Sequence, residues 1–528
     1  MTHLAVAIMV HSREQAQAAA VRAAELGADL VEFRIDRFTD SPAQLSALVE
    51  HSPLPCIVTC RPTWEGGHYD GEEAHRIALL EQIAGAVRPP AYLDVELAAF
   101  GRSQELRQTL ARVVDHPGQV RATSTGLILS SHDFDRRPRD LYQRIEAMAA
   151  DPMCRVIKVA WTARSLRDNL EAFEILGQRH KPTIALCMGE AGLASRVLAK
   201  KFGALLTFAA IEDGAGTAPG QPTLAALKEL YRWDAIDAQT AVYGVIGYPV
   251  GHSKSPAIHN AGFDALGHNA VYLPLPIPPE YEHFKATVSA WLALPSLHFR
   301  GASVTLPHKQ HLLRFVREVG GRIEPLAQQI GAANTLVVGA EGSLEAFNTD
   351  YAAALDAVCE GIACAREDLN GQRVAVIGAG GAARAIVAGF AHYGASVVIY
   401  NRTLENAQRL ADQFGQGPAK VVAARLSKLC DSCCQIYINC TPIGMHPDTE
   451  ATPLGSEKPA RGWGPGTVVF DTIYNPIETR LLRQARADGC MAISGLEMFV
   501  RQAARQFKMW TGKEAPLEVF RRVLTEGT

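Results

Sequence analysis

No apolar run in the sequence approaches the ~18 residues that a membrane-spanning helix needs, so no such helix is expected. An excess of one charge sign is also missing. The 52 Lys and Arg against 55 Asp and Glu leave a net charge of −3, which offers no electrostatic footprint for nucleic acid. The eleven cysteines are odd in number and irregularly spaced, which argues against a disulfide framework and suits a reducing cytoplasm. Cys430 and Cys433 form one CxxC, but no second pair stands at zinc-ribbon spacing, so no metal is expected. The N-terminus enters an apolar run at 4–10 without a basic stretch or cleavage site, and it reads as a first strand rather than a signal or transit peptide. What remains is an ordinary globular composition, 48% hydrophobic and 20% charged over 528 residues, long enough for about three structural units.

Short β-rich runs occupy 4–10, 30–36, 56–61, 91–97, 126–134, 156–161, 183–189 and 205–210. Helical patterns lie between them, for example at 12–27, 72–87 and 163–178. Ser12 and Ser41-Pro42 are helix-start signals, and Gly27 is a stop. Eight strands alternating with helices in about 230 residues predict a (β/α)8 barrel. Polar residues gather at the strand ends: Glu32 and Arg34, Arg61, Asp94 and Glu96, Ser130 and His132, with Lys158 in the sixth. Residues two apart project to one face of a strand, and the C-terminal strand ends of a barrel form its active-site mouth. Lys158 has apolar chain neighbours, an environment that favours the unprotonated amine, which can attack a ketone to form a Schiff base. An ion-pair role is the bland alternative for such a lysine. His132 is the candidate base, with Asp94 or Glu96 fixing its tautomer. Arg196, Thr217 and Gln221 lie in the loops after the seventh and eighth strands. A guanidinium binds carboxylate, and hydroxyl and amide groups suit an alcohol-rich substrate, so the site asks for a small polyhydroxylated keto acid.

The second half carries a strand–glycine–helix signal. The apolar run 374–377 breaks into Gly378-Ala379-Gly380-Gly381, and an alanine-rich helix opens at Ala382. Such a turn brings backbone N–H groups to a pyrophosphate. The next strand, 396–400, ends in Asn401-Arg402-Thr403 and not in the carboxylate an NAD site would use. A guanidinium there favours the 2′-phosphate of NADP. Ser255-Pro256 is a helix start, whereas Ser253 has no evident structural role and reads as a hydroxyl ligand. Lys309 follows a strand at 302–306, and Asn334 and Asp350 close later segments. A reductase needs a proton donor for the new alkoxide, and a lysine held by an aspartate supplies one. Gln502 and Gln506 share a helix face that could be surface or site.

The motifs VEFRID, TCRPTWEGG, DVEL, SSHDF, IKVAW, ASR and TAPGQ resemble, in order, those of type I 3-dehydroquinate dehydratase. That resemblance implies Lys158 as Schiff-base lysine, His132 as general acid/base and Glu96 as its orienter. It further implies Glu32, Arg34, Arg61, Arg196, Thr217 and Gln221 as substrate ligands, with Thr217 standing where serine is expected. From residue 242 onward, YPVGHSKSPAIHN, GASVTLPHK, GAANTLV, FNTD, the glycine turn, NCTPIGM, DTIYNPIETRLL and SGLEMFVRQAARQF resemble shikimate dehydrogenase. Lys309 and Asp350 would be the catalytic pair, and Ser253, Ser255, Thr305, Asn334, Tyr474 and Gln502 substrate ligands. NADP would take Gly378–Ala382, Asn401, Arg402 and Thr403, with Gly495 and Met498 near the nicotinamide.

The resemblance implies four segments: a barrel at 1–235, a substrate domain at 241–345, a Rossmann domain at 346–490, and helices at 491–528 that pack back on the substrate domain. It implies a fused enzyme that takes 3-dehydroquinate to 3-dehydroshikimate and then to shikimate with NADPH. A monomer or homodimer with small-molecule substrates is expected, with no nucleic-acid or membrane partner. Rival readings are a metabolite sensor that has lost the chemistry, a dehydrogenase preferring quinate or NAD, and an aldolase-type barrel.

Overall fold

β-branched and apolar residues at alternate positions build eight parallel strands: β1 (His3–Met9), β2 (Leu30–Arg34), β3 (Cys56–Thr59), β4 (Tyr92–Glu96), β5 (Gly126–Asp133), β6 (Cys154–Thr162), β7 (Thr183–Met188) and β8 (Leu206–Ala209). The computed structural model of the chain describes all residues except 1, 39–40, 120–122, 215, 416–418, 455–458, 460–462 and 527–528. The described residues form two units. One takes in Met1–Tyr243, Pro249–Pro256 and His268–Phe299; the other takes in Gly244–Tyr248, Ala257–Gly267 and Arg300–Thr528.

In the first unit the strands run in the order β7-β6-β5-β4-β3-β2-β1-β8. The Leu205 N–H donates to the Thr183 carbonyl at 2.9 Å, which brings the two ends together into a nearly closed (β/α)8 barrel. The interior is apolar toward the strand starts, where Ala5, Leu30, Ile57, Ile128, Val156, Ile184 and Leu206 pack in one cluster. Truncating one of these large side chains to alanine costs about 2–5 kcal/mol. Ser12 caps its helix by accepting from the Gln15 N–H, and Gly27 stops it in the left-handed region at φ 82°. Ser41 makes no side-chain cap bond, so Pro42 alone marks that helix start. The helix expected at 163–178 begins only at Asp168, because that carboxylate accepts from the Arg164 and Ser165 N–H groups and holds the chain in a turn. The segment after the barrel is tied down by Lys201, whose Nζ donates to the Ala238 and Thr240 carbonyls at 2.8 and 2.9 Å. Strand β10 (Ala270–Pro276) and the helix Tyr281–Leu292 also belong to this unit. Strand β9 (Ala241–Gly247) begins in it and continues in the second.

In the second unit, β11 (Phe299–Val304) pairs antiparallel with β13 (Thr335–Val338), which pairs antiparallel with β14 (Leu344–Phe347). The two-residue β12 (Arg322–Ile323) adds to β14 in parallel. The helix Thr349–Gly361 then leads to a fully parallel sheet of β15 (Arg373–Ile377), β16 (Ser396–Asn401), β17 (Val421–Arg425), β18 (Ile436–Asn439), β19 (Val468–Asp471) and β20 (Met491–Ile493). Its order, β17-β16-β15-β18-β19-β20, is the doubly wound Rossmann arrangement. Alternate residues of β15 enter two different cores: Val374 and Val376 face one, Ala375 and Ile377 the other. A sheet covered on both faces needs this apolar double run. The closing helix Gly495–Thr511 packs on β11 and β13. Gln506 bonds Ser303 Oγ and Thr335 Oγ1, and Trp510 Nε1 donates to the Leu336 carbonyl.

Candidate active sites

The polar strand ends of the barrel converge on one cleft of roughly 500 Å³, counted with its open mouth. Glu32, Arg34, Arg61, His132, Lys158, Arg196, Thr217 and Gln221 all line it, as the sequence pattern anticipates. Lys158 stands at its floor. Its Nζ donates to Asp94 Oδ2 at 2.7 Å, reaches Glu32 Oε1 at 3.4 Å, and lies 4.6 Å from the centroid of the Phe208 ring. The expectation of an amine enclosed by apolar groups alone is therefore corrected. Ile157 and Val159 flank it in sequence but point to the opposite face of the strand, so its true neighbours come from other strands. Asp94 also accepts from Arg61 Nη2 at 2.8 Å and Ser130 Oγ at 2.6 Å. Burial alone would raise the Asp94 carboxyl, but Arg61 and Lys158 overcome this and hold it well below the usual range.

A second correction concerns His132. Glu96 does not orient it; its two oxygens accept from Arg61 Nη1 at 2.7 Å and Arg76 Nη1 at 2.8 Å. The partner of His132 is Glu65, whose Oε1 lies 3.0 Å from the ring Nδ1 and accepts the His132 backbone N–H at 2.9 Å. Glu65 sits in a 3-10 turn after β3, inside the TCRPTWEGG segment, and its being the lone acidic residue of that segment was the available signal. Burial pushes the Glu65 carboxyl up to about 7 and, with Arg61 and Lys158 nearby, pushes the His132 imidazole well below 6.5. The ring is thus neutral. With Nδ1 carrying its proton toward Glu65, Nε2 is left free as a base.

Arg196 is 1% exposed, and its Nε and Nη2 have no hydrogen-bond partner among the described residues. Burial pushes this guanidinium down to about 10. Gln221 Nε2 is likewise buried and unpartnered, while its Oε1 accepts from the Thr217 N–H at 3.0 Å. A buried, unpaired guanidinium in a cleft is complementary to a carboxylate, and an unpaired amide donor to a hydroxyl. Arg34 is instead engaged, donating bidentately to Asp36 at 3.0 Å through both nitrogens.

In the second unit, Lys309 Nζ lies 2.6 Å from Asp350 Oδ2. Asp350 is clamped from its other oxygen by Asn334 Nδ2 at 2.8 Å, and its N–H is capped by Asn348 Oδ1. Asn334 also bonds Thr349 through both ends of its amide and reaches Gln502 Oε1 at 3.4 Å. The shared face of Gln502 and Gln506 thereby divides: Gln502 borders the lysine–aspartate cluster, and Gln506 is a buried structural bond to the sheet. Thr305 lies between β11 and Lys309, its N–H on the Ile246 carbonyl. Tyr474 is 40% exposed and stacks on Phe499 with centroids 4.9 Å apart. Ser253 and Ser255 belong to the first unit, where Ser253 Oγ accepts from the Ser255 N–H at 3.2 Å. That bond is a structural role that the sequence reading did not assign to Ser253.

The glycine turn after β15 lies where β15 has neighbours on both sides, β16 and β18, which is the switch point of the sheet. Gly378 takes φ 109°, and a Cβ there would come within 3.0–3.2 Å of Thr441 and Cys440. Gly380 and Gly381 face open space at the start of the helix Gly381–His392, so backbone N–H groups remain for a pyrophosphate. Arg402 is exposed beyond β16, and Asn401 Nδ2 donates to the Thr403 carbonyl at 2.8 Å, which shapes the loop that presents it. At the other wall, a Cβ on Gly495 would lie 2.4–2.6 Å from the Thr472 and Ile473 backbone, so only glycine lets the last long helix start there, with Met498 one turn on. The residues present fit a dinucleotide with a 2′-phosphate. Among the described residues no cluster of three His, Cys, Asp or Glu could hold a metal, and no helix is long and apolar enough to cross a membrane.

Four family descriptions match consecutive parts of the chain. They are type I 3-dehydroquinase over residues 4–238, shikimate dehydrogenase substrate binding domain over 245–336, shikimate/quinate 5-dehydrogenase over 362–441, and shikimate 5′-dehydrogenase C-terminal domain over 495–525. A bifunctional 3-dehydroquinate dehydratase/shikimate dehydrogenase of Arabidopsis thaliana, named chloroplastic, is 38% identical over 526 residues, covering 96% of this chain and 81% of its own. A shikimate dehydrogenase (NADP(+)) of Methanosarcina mazei is 41% identical over 292 residues, 54% of this chain and 98% of its own. A solved shikimate dehydrogenase of Thermus thermophilus, in complex with NADP(H) and shikimate, aligns with 55% of this chain and all of its own, at 31% identity and a TM-score of 0.47.

Proposed function

The chain belongs to the family of bifunctional 3-dehydroquinate dehydratases/shikimate dehydrogenases, NADP-dependent enzymes of the shikimate pathway, and from that premise we propose how its residues divide the work. Residues 1–235 dehydrate 3-dehydroquinate. The unprotonated Lys158 Nζ attacks the ketone carbon, and loss of water leaves an imine that acidifies the adjacent C–H. His132, oriented by Glu65, takes that proton through Nε2 and returns it to the departing hydroxyl, which leaves as water. Hydrolysis of the imine frees 3-dehydroshikimate and restores Lys158. Arg196 takes the substrate carboxylate, and Thr217, Gln221, Glu32, Arg34 and Arg61 complete the cleft. The observation that carries this reading is the juxtaposition in one cleft of a strand lysine, a neutral histidine held by Glu65, and a buried guanidinium without a partner.

Residues 241–345 and 491–528 hold 3-dehydroshikimate, and 346–490 hold NADPH. Gly378–Ala382 cradle its pyrophosphate, Asn401, Arg402 and Thr403 its 2′-phosphate, and Gly495 and Met498 border the nicotinamide. The bound coenzyme supplies the two electrons and one hydrogen that reduce the ketone. Lys309, held by Asp350, delivers the proton to the resulting alkoxide oxygen. Asn334 positions Asp350, and Thr305, Tyr474 and Gln502 bind the ring substituents and carboxylate.

We place the enzyme in the cytoplasm, in keeping with eleven cysteines that form no disulfide among the described residues, as a monomer or homodimer. A two-stage assay tests the reading. Purified protein with 3-dehydroquinate should develop the ultraviolet absorbance of a conjugated enone, and added NADPH should then be oxidised ahead of NADH. Absence of the enone, with NADPH still consumed on added 3-dehydroshikimate, would overturn the barrel assignment.

A further inference from the structure

Six charged side chains alternate in sign from the reacting amine to the surface of the barrel. Lys158 meets Asp94 at 2.7 Å, and Asp94 meets Arg61 at 2.8 Å. Arg61 meets Glu96 at 2.7 Å, whose second oxygen meets Arg76 at 2.8 Å. Arg76 in turn is held bidentately by Glu73 at 2.7 and 2.8 Å. Glu73, at the far end, has 42% of its side chain exposed, whereas the Arg76 side chain is fully buried. Arg76 does not line the cleft, so it has no access to substrate. A buried guanidinium is a costly way to fill space, and an apolar side chain of similar size would pack a helix against a barrel at lower cost.

The contacts of Arg76 suggest what it does there. Its Nη1 donates both to Glu96 and to the Cys60 carbonyl, the residue immediately before Arg61. One side chain from the helix Glu73–Ala84 thus fixes the carboxylate that holds the Arg61 head and the strand end that carries its backbone. We propose that Arg76 is a positioning residue for the dehydratase, which sets the placement and charge balance of Lys158 through Glu96 and Arg61 without touching substrate. The proposal rests on the assignment of Lys158 as the imine-forming amine.

The sign of the effect follows from the chain of charges. Without Arg76, Glu96 has Arg61 as its one remaining cation and competes with Asp94 for it. Asp94 then turns its charge more fully on Lys158, and the ammonium is favoured over the amine. The other charged and titratable groups around Lys158 are Glu32, Arg61 and His132; those around Arg76 are Glu73, Glu96, the Cys60 thiol and the Tyr69 hydroxyl. None of these supplies a replacement cation at Glu96.

The test uses the full-length protein and traps the imine with borohydride in the presence of 3-dehydroquinate, with the modified residue read by mass spectrometry across pH. In Arg76→Met the midpoint of trapping on Lys158 should rise by about one pH unit, the effect of removing one buried positive charge four ion pairs away. Dehydration at neutral pH should fall about tenfold. Arg76→Lys, which keeps the charge, should leave the midpoint in place. Thermal unfolding followed by circular dichroism reports folding of the barrel in each variant, and reduction of added 3-dehydroshikimate checks that the second half is intact. If Arg76→Met does not fold, Arg76→Gln keeps a donor to Glu96, drops the charge, and carries the same expectation. A uniform loss of rate with an unmoved midpoint would make Arg76 merely structural and overturn the proposal. No trapping on Lys158 in the unaltered protein would instead overturn the imine assignment, and this proposal with it.

Discussion

Glu65 is where the catalytic reading is most exposed to test. One oxygen of this buried carboxylate takes both the backbone N–H and the ring Nδ1 of His132. Glu65→Gln keeps an oxygen there to accept both bonds, so the ring stays in place, but it removes the charge that stabilises the imidazolium during proton transfer. A hydrogen bond to a charged group in a buried site is worth about 2–3 kcal/mol, so kcat for dehydration should fall about a hundredfold. The pH dependence has a definite sign. Below about pH 7 the pair keeps its proton on Glu65, and Nε2 of His132 loses its role as base, so the native rate should rise with pH through about 7. That limb should vanish in Glu65→Gln. Stability runs the other way. The folded carboxyl lies at about 7 against an ordinary 4.5, so the native state favours its protonated form. The stability this contributes is full below 4.5 and is lost as pH rises through 7. The gap corresponds to roughly 3 kcal/mol at most, reduced to about 1–2 by the coupling to His132. Glu65→Gln should therefore unfold at a higher temperature than the native protein at pH 8 and at nearly the same temperature at pH 5. Enone absorbance and thermal unfolding measure the two effects. Full activity in Glu65→Gln, with the hundredfold loss appearing in Glu96→Gln, would refute the reasoning and return the orienting role to Glu96.

Lys158→Ala should abolish enone formation and leave reduction of added 3-dehydroshikimate intact; surviving dehydration would sink the Schiff-base assignment. Arg196→Met should raise KM for 3-dehydroquinate about a hundredfold while stabilising the unliganded protein by about 1–3 kcal/mol, because it removes a buried charge without a partner. An unchanged KM in steady-state assays would remove Arg196 from the site. Lys309→Met should lower kcat for reduction by about 10²–10⁴ with NADPH binding unaffected in a fluorescence titration, and a kcat within threefold of native would discount the lysine as proton donor. Arg402→Ala should raise KM for NADPH about 10–100-fold and leave KM for NADH unchanged; equal effects on both would deny a contact with the 2′-phosphate.

Much of this architecture is carried by local patterns. The eight β-rich runs sit within a few residues of the observed strands, because a strand buried on both faces must be apolar wherever it runs. The glycine turn after β15 and the arginine after β16 are likewise readable, since one reflects a backbone requirement and the other a charge at a position the turn itself locates. Residues two apart on a strand end share a face whatever the rest of the chain does, so the membership of the barrel cleft was legible in one dimension. Pairings were not. Lys158 looks apolar to its chain neighbours and meets Asp94, Glu32 and Phe208 in space, because the pleat turns its neighbours away and barrel closure supplies others. Glu96 is spoken for by Arg61 and Arg76, and His132 falls to Glu65, a loop residue whose reach depends on how a 3-10 turn folds over the mouth. Local sequence therefore determined which side chains face the site, since pleat and periodicity act over a few residues. Only the closed tertiary structure decided which charge neutralises which, because Coulomb and hydrogen-bond energies depend on distances of a few ångström that no stretch of chain sets alone.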